Sequence, residues 1–331
     1  GAGQNPREDA KEATASVEGC GQEGPGGIGA LGSILVRTIR HFWPRMGEWL
    51  GRLPDTRFEP MVVYDKKFLT WWGLCLFLLK LGGRRQLDFH LRDLNTHVRE
   101  NVNRLAETDQ ETLPVHGTLD HFLGHVGSSA FRGLRTELIS RLIRMKVLDQ
   151  SRLSGCLVLA WDATGYLRFR SRHCPSCLTR TLSNGETLYL HPVLEAKIVT
   201  SEGLSLSVET EFIENGDGDW YSGDDGKQDC ELTAAGRLAR NIKASFPQLH
   251  LCVTGDSLYG CGRAIQNCRD YEWDFVFVFK EGRTPALWKE FQALLTLSPD
   301  NLLSVTPSDG TVEEYRWING LLHEDSDGRS H

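Results

Sequence analysis

Apolar residues recur along the chain with two different periods, and the change falls near Gly155. From 33 to about 150 the spacing is helical. The segment SAFRGLRTELISRLIRMKVL (129–148) sets Phe131, Leu134, Leu138 and Leu142 at i, i+3, i+7 and i+11, with Arg132, Arg135, Arg141 and Arg144 among the remaining positions. That pattern predicts an amphipathic helix with a basic outer face. Upstream, HGTLDHFLGHVG predicts a short helix capped by Thr118, and GGRRQLDFHLRDLN predicts another. The apolar run FLTWWGLCLFLL (68–79) falls short of the roughly 20 residues a membrane-crossing helix needs. It predicts a buried core helix.

Beyond Gly155 the period shortens. CLVLAWDATG (156–165) is an apolar run ending on Asp162, YLRFRS (166–171) alternates, and TLYLHPVLEAKIVT (187–200) and LSLSVETEFIEN (204–215) are strand-like with Gly203 between them. There follow a helix over 227–246 stopped by Pro247, an apolar strand running into Gly255 and Asp256, a short helix near 261–270, the strand DFVFVF (274–279) and a helix from Pro285. On that helix Leu287, Trp288, Phe291 and Leu294 share one face. Antiparallel hairpins followed by alternating helices and strands predict an α/β fold.

Composition modifies this picture at the ends. Residues 1–32 are rich in Gly, Glu and Ala and nearly free of bulky apolar residues, which predicts a disordered tail. Within it, GPGGIG (Gly24, Gly26, Gly29) matches a dinucleotide-binding pattern but lacks the preceding strand that pattern requires. The start at Gly1 and the polar run HEDSDGRSH read as ends of a fragment. No apolar signal region is present at the acidic N-terminus. Nine cysteines scattered through 331 residues suit a reducing compartment, so a cytoplasmic protein is expected.

The net charge of -7 excludes a protein that coats nucleic acid with its whole surface. The charge is nonetheless divided. Residues 33–104 hold 13 Lys/Arg against 7 Asp/Glu, whereas 155–331 hold 16 against 26. A basic first part suits phosphates, and an acidic second part suits metal ions.

Two apolar strands run into an acid, Asp162 followed by Thr164-Gly165 and Asp256 followed by Tyr259-Gly260. Polar groups at the carboxyl ends of neighbouring strands converge on the functional crevice of an open α/β sheet. Two carboxylates held together repel one another, and a divalent cation removes the conflict. Hard oxygen ligands suit Mg²⁺ or Mn²⁺, and two such ions support phosphoryl transfer. The alternative is that each Asp starts a turn.

Strand-Asp, hairpins, helix, strand-Asp, helix, strand is the element order of the RNase H-like fold. The segments WDATG, VLEAKIV, TEFIEN, KQDCEL, GDSLYG and FVFVFKEG resemble bacterial insertion-sequence transposases of the DDE class, over about residues 60–320. The resemblance implies an α/β fold with an RNase H-like mixed sheet flanked by helices, preceded by an all-α N-terminal region. The expected organisation is a disordered tail (1–32), a helical DNA-binding region (33–153), a catalytic core (154–308), and the start of an inserted β region or a disordered, truncated end (309–331). Asp162 and Asp256 would be the first two acids of the triad and would hold two Mg²⁺ or Mn²⁺ ions. The family's third acid, a Glu on a helix within a Tyr, Arg, Glu, Lys pattern, is missing. Glu290 in ALWKEF lacks that pattern, and TVEEYRWI (311–318) reads as a strand. Glu231 in CELTAA resembles the helix Glu with which ribonuclease H enzymes hold their metals, although an acid in the first turn also suits the helix dipole.

Glu209, Glu211 and Glu214 of TEFIEN are either groups near the metals or a strand face that is exposed or salt-bridged. HCPSC places Cys174 and Cys177 in a hairpin loop beside His173, half the usual ligand set of a structural zinc, which His191 or a second molecule would have to complete. Arg84, Arg85, Arg132, Arg135 and Arg144 are the candidate DNA contacts, against the simpler reading of a solvated face. The resemblance implies binding to the terminal repeats of the chain's own element and to target DNA, metal-dependent cleavage and strand transfer, a homo-oligomer on DNA, and a nucleoid-associated place in the cytoplasm. The alternatives are a DNA-binding remnant that cannot cut, and an RNase H-like nuclease that uses Glu231.

Overall fold

A computed structural model describes residues 28–91, 95–216 and 228–322. The chain divides into two compact units, 1–134 and 135–331. The first is helical. It contains α1 (Ile28–Phe42), α2 (Met46–Gly51), a 3₁₀ turn (Glu59–Met61), α3 (Lys66–Leu78), α4 (Arg84–Leu91), α5 (Asn95–Ala106) and α6 (His116–His125). The division falls within α7 (Ser128–Arg144). Helix α1 begins inside the segment whose composition predicts a tail; the first two glycines of GPGGIG, Gly24 and Gly26, lie outside the described residues.

Helix α3 is the hub of this unit and packs against α2, α4, α5 and α6. The Asp65 side chain caps it by accepting from Lys67 N at 2.7 Å. Phe68, Leu69, Trp71 and Trp72 are buried on all sides of its first turns, so no polar stripe is needed there. The expected core helix is thus half right, because Phe77 and Leu78 of its last turn are exposed. The helix stops at Lys80, whose left-handed φ of 53° lets Leu81 N reach Leu76 O at 2.8 Å. Thr118 does not cap α6. The helix starts two residues earlier, at His116, and Asp88 of α4 accepts from His116 N (3.0 Å) and meets its ring Nδ1 (2.6 Å). A cap supplied from another helix leaves no local sequence signal. Among the described residues, no helix is long and apolar enough to cross a membrane.

The second unit is built on a six-stranded mixed sheet. Its strands are β1 (Leu157–Phe169), β2 (Leu178–Thr181), β3 (Thr187–Val199), β4 (Ser205–Phe212), β5 (Leu251–Gly255) and β6 (Asp274–Phe277). The order is β2-β3-β1-β5-β6, with β4 also paired to β3. The β1, β2, β3 and β4 pairings are antiparallel, and β5 and β6 run parallel to β1. Leu157, Leu159 and Trp161 alternate onto the same face as Leu194, Ala196 and Ile198 of β3 and Leu251 and Val253 of β5. Helices α8 (Glu231–Ser245) and α9 (Gly262–Asp270) contribute Ala234, Ala235, Leu238, Ala239, Ile242, Ala264 and Cys268 to the same core. The alanines bring α8 close to the sheet.

Strand β1 does not end where its apolar run ends. It continues through Asp162 to Phe169 because β3 pairs along its length, with a register irregularity between Gly165 and Leu167 absorbing the change of pattern. Asp162 is therefore a mid-strand residue, and beyond it β1 becomes an arm with little burial on either side. After α10 (Pro285–Leu297), β7 (Leu302–Val305) and β8 (Glu313–Arg316) form a separate hairpin, so strand structure resumes earlier than 309. Every residue of that hairpin is exposed.

The acids of β4 form a salt-bridged face, one of the two forms expected of them, and not an exposed one. Glu209 is 1% exposed, and Arg135 of α7 meets its Oε1 at 2.7 Å and donates to Thr210 Oγ1 at 2.8 Å. Glu211 binds Arg237 of α8 at 2.7 Å. Removing one partner of a buried pair strands the other charge, a loss of about 3–5 kcal/mol when both are fully buried. Arg135→Ala should lower the unfolding free energy by about 2–4 kcal/mol, since the guanidinium keeps some solvent contact. Arg144→Ala on the exposed end of α7 should change it by about 0.5 kcal/mol or less. Urea denaturation of both variants measures the contrast.

Candidate active site

The parallel register of β1 and β5 runs Leu157 to Leu251, Val158 to Cys252, Leu159 to Val253 and Ala160 to Thr254. The pairing ends at Ala160 and Thr254 and β5 at Gly255, so Asp162 and Asp256 each lie two residues beyond the last paired residue of their own segment. Both are exposed, and Asp162 alternates to the face opposite Trp161. On the other flank of β1, Asp162 stands opposite Glu195 of β3. Glu195 is committed to the sheet, accepting from Ser207 Oγ and, at 2.7 Å, from Thr210 Oγ1.

Asp256 closes the turn after β5. Its Oδ1 accepts from Leu258 N at 2.8 Å and its carbonyl accepts from Tyr259 N at 3.2 Å. The turn role that Asp so often has is therefore real. The turn drives the Tyr259 ring back against the strand end. A Cβ at Gly255 would lie 2.5 Å from that ring, so the position takes glycine for close approach. The ring is buried between Trp161 and Phe277, with centroids 5.7 and 6.0 Å away.

The hydroxyl of Tyr259 leaves this apolar cage at one point, donating to Glu231 Oε1 at 2.6 Å. Glu231 is the first residue of α8, with Cys230 as N-cap. Burial raises the Glu231 pKa above the usual carboxylate range. The Tyr259 hydrogen bond works in the opposite sense, and the negative charges of Asp256 and Asp162 add to the rise. Burial, and then donation to Glu231, likewise hold the Tyr259 phenol protonated. The structure thus brings Asp162, Asp256 and Glu231 into one electrostatic cluster.

The donor set suits a hard divalent cation, being anionic oxygen throughout. The carboxylates are not drawn into a closed cage. Among the described residues, only Cys174, Cys177 and His191 have ligand atoms that all lie within 4.8 Å of one another. A cavity of about 340 Å³ opens beside the Asp256 turn, lined by Ser257, Gly260, Phe277, Lys280 and Arg283 among others.

Glu290 is exposed on α10. Glu214 lies 4.0 Å from the ring Nδ1 of His191. Of the candidate DNA contacts, Arg84 is exposed and pairs with Asp120 at 2.6 Å, Arg85 and Arg144 are exposed, Arg132 is half-buried, and Arg135 is held by Glu209. Tyr259 was legible only as the aromatic three residues after the second acid. Its partnership with Glu231 spans 28 positions and leaves no local trace.

A carboxyl whose pKa is higher folded than unfolded contributes stability below the unfolded value that is lost as pH rises through the folded one. For Glu231 this loss begins near its ordinary value of 4.5. Glu231→Gln keeps an acceptor for Tyr259 and removes the loss. In EDTA at pH 7 the variant should resist urea better than the unsubstituted chain, and the gap should close below about pH 4.5. Lower stability of the variant at pH 7 would refute the raised carboxyl. No protein-family model and no curated protein matches this chain.

Proposed function

We propose that the second unit is an RNase H-like core that performs divalent-metal-dependent phosphoryl transfer on DNA, as a transposase of the DDE class. The observation that carries this reading is that Asp162 and Asp256 each follow the parallel-paired segments of β1 and β5 by two residues, while the charges of both raise the pKa of Glu231 at the start of α8. The strand order, with antiparallel hairpins on one side of β1 and parallel strands on the other, supports the fold assignment.

Asp162, Asp256 and Glu231 would hold the ions, Mg²⁺ or Mn²⁺. When bound, such ions lower the pKa of water and stabilise the leaving oxygen of a phosphodiester. Tyr259 fixes the Glu231 carboxylate by its hydrogen bond and supplies no proton at neutral pH, because burial keeps the phenol protonated. Lys280 and Arg283, which line the cavity beside the Asp256 turn, would neutralise a strand's phosphates. Arg84, Arg85 and Arg132 of the helical unit and Arg144 of the second unit are the candidates for duplex backbone contacts. Arg135 is set aside because it serves Glu209.

The clustering of Glu231 also favours a second reading, a nuclease of the same fold that cleaves without strand transfer. One assay separates the readings. Labelled duplexes carrying the DNA that flanks the coding sequence are incubated with the chain, Mn²⁺ and a supercoiled target plasmid. Transposition chemistry gives nicking at the element ends and joining of the 3′ hydroxyl to the plasmid, whereas a nuclease gives cleavage only. Asp162→Asn, Asp256→Asn and Glu231→Gln should each reduce cleavage on the order of 100-fold or more. DNA that is bound but never cut would overturn both readings and leave a binding remnant.

A further inference from the structure

Cys174, Cys177 and His191 form a second cluster, chemically unlike the first. The two thiols lie in the loop between β1 and β2, where Cys177 N approaches Cys174 O at 3.5 Å, and His191 stands on β3 facing the β1 arm. The ring Nε2 of His191 is 3.2 Å from Cys174 Sγ and 3.1 Å from Cys177 Sγ, and the sulfurs are 3.8 Å apart. One nitrogen wedged between two sulfurs has no use in a disulfide, which needs about 2.05 Å between sulfurs. In a tetrahedral zinc site, bonds of about 2.3 Å to sulfur and 2.0–2.1 Å to nitrogen imply edges of about 3.8 Å between sulfurs and 3.5 Å between sulfur and nitrogen. The sulfur edge already matches. The imidazole needs to withdraw by only a few tenths of an ångström.

The surroundings complete the site. Glu214, 4.0 Å from His191 Nδ1, lies beyond hydrogen-bond distance on the ring's far side, where a small movement would let it accept from Nδ1. Asn215 holds the loop from below, its N donating to Ser176 O and its Nδ2 to Cys177 O, both at 3.1 Å. Cys177 is fully buried and His191 nearly so. The β1 arm beyond Asp162 is almost wholly exposed, so apolar burial does little to hold it. A cross-link does what a core cannot.

We propose that this cluster binds one Zn²⁺ through Cys174 Sγ, Cys177 Sγ and His191 Nε2. Thiolate and imidazole donors select zinc over Mg²⁺ or Mn²⁺. Among the described residues no fourth side chain joins the group, and the loop opens to solvent beside Arg172, His173 and Pro175, so water takes the fourth position. Binding releases the two thiol protons to solvent. The ion ties the arm's tip to β3 and, through Asn215, to the segment leading into α8. It leaves the carboxylate cluster to its own ions.

The full chain is purified under reducing conditions from zinc-supplemented medium and its metal content measured. About one zinc per chain is expected. After exchange, Co²⁺ should give intense visible bands of a tetrahedral site together with a thiolate charge-transfer band. Cys177→Ser and His191→Ala should lower zinc retention at least tenfold, whereas Cys230→Ser, an exposed cysteine elsewhere, should retain it. His191→Cys should keep the metal and strengthen the charge-transfer band, which guards against variants that merely fail to fold. Amide exchange over 166–192 should slow when Zn²⁺ is added and be indifferent to Mg²⁺. A folded, reduced chain that takes up neither Zn²⁺ nor Co²⁺, or undiminished zinc in Cys177→Ser, would overturn the site.

Discussion

The parallel pairing of β1 with β5 is the constraint on which the carboxylate cluster depends. Side chains alternate along a strand, so a slip of one residue would exchange the faces of every position. Leu157, Leu159 and Trp161 enter the core together with Leu251 and Val253, which excludes any slip by an odd number of residues. In the observed register Asp162 and Asp256 each follow the paired segment by two residues. Apolar burial thus sets the geometry of the acids without touching them, at about 1.5–3 kcal/mol for each large side chain. Tyr259 links the two levels, because its ring belongs to the core while its hydroxyl belongs to the acids.

The cluster works against the fold that holds it. Glu231 loses hydration at the start of α8 and feels two further negative charges, so in the absence of a cation its ionised form is disfavoured. The helix N-terminus and the Tyr259 hydroxyl relieve only part of this. The chain carries this conflict as stability lost once Glu231 ionises. The buried Arg135–Glu209 pair shows the other solution to an acid in the sheet. There a permanent guanidinium neutralises the charge.

The sequence made the sheet legible wherever burial was strong. The apolar runs ending at Asp162 and Asp256, the helix bearing Glu231 and the long strand over 187–199 all correspond to elements within a few residues. Where burial is weak the period disappears. The arm of β1 past Gly165, the short β2 and the exposed β7 were missed or divided because pairing with a neighbour, not a core, defines them. Long-range polar partnerships were equally silent. Asp88 with His116, Arg135 with Glu209 and Tyr259 with Glu231 join residues far apart, so the partner of each acid leaves no local signal. The cysteine pair was half of a pattern in the sequence. Strand pairing supplied the rest by bringing β3, and with it His191, beside the loop.

One sheet thus carries two donor sets of opposite character. Asp162, Asp256 and Glu231 offer only hard oxygens, in an open arrangement that suits ions retaining several waters. Cys174, Cys177 and His191 offer sulfur and nitrogen in a compact arrangement that suits a small, partly dehydrated ion. Zinc outcompetes magnesium and manganese at almost any shared site, so a carboxylate centre that needs a labile, hydrated ion gains from having no thiolate or imidazole within reach. Along the antiparallel β1–β3 pair the two sets are kept apart: Asp162 stands opposite Glu195, whereas His191 stands opposite Leu167 on the arm, beside the loop that carries the thiols. The arm, held by strand pairing and little burial, sets that distance.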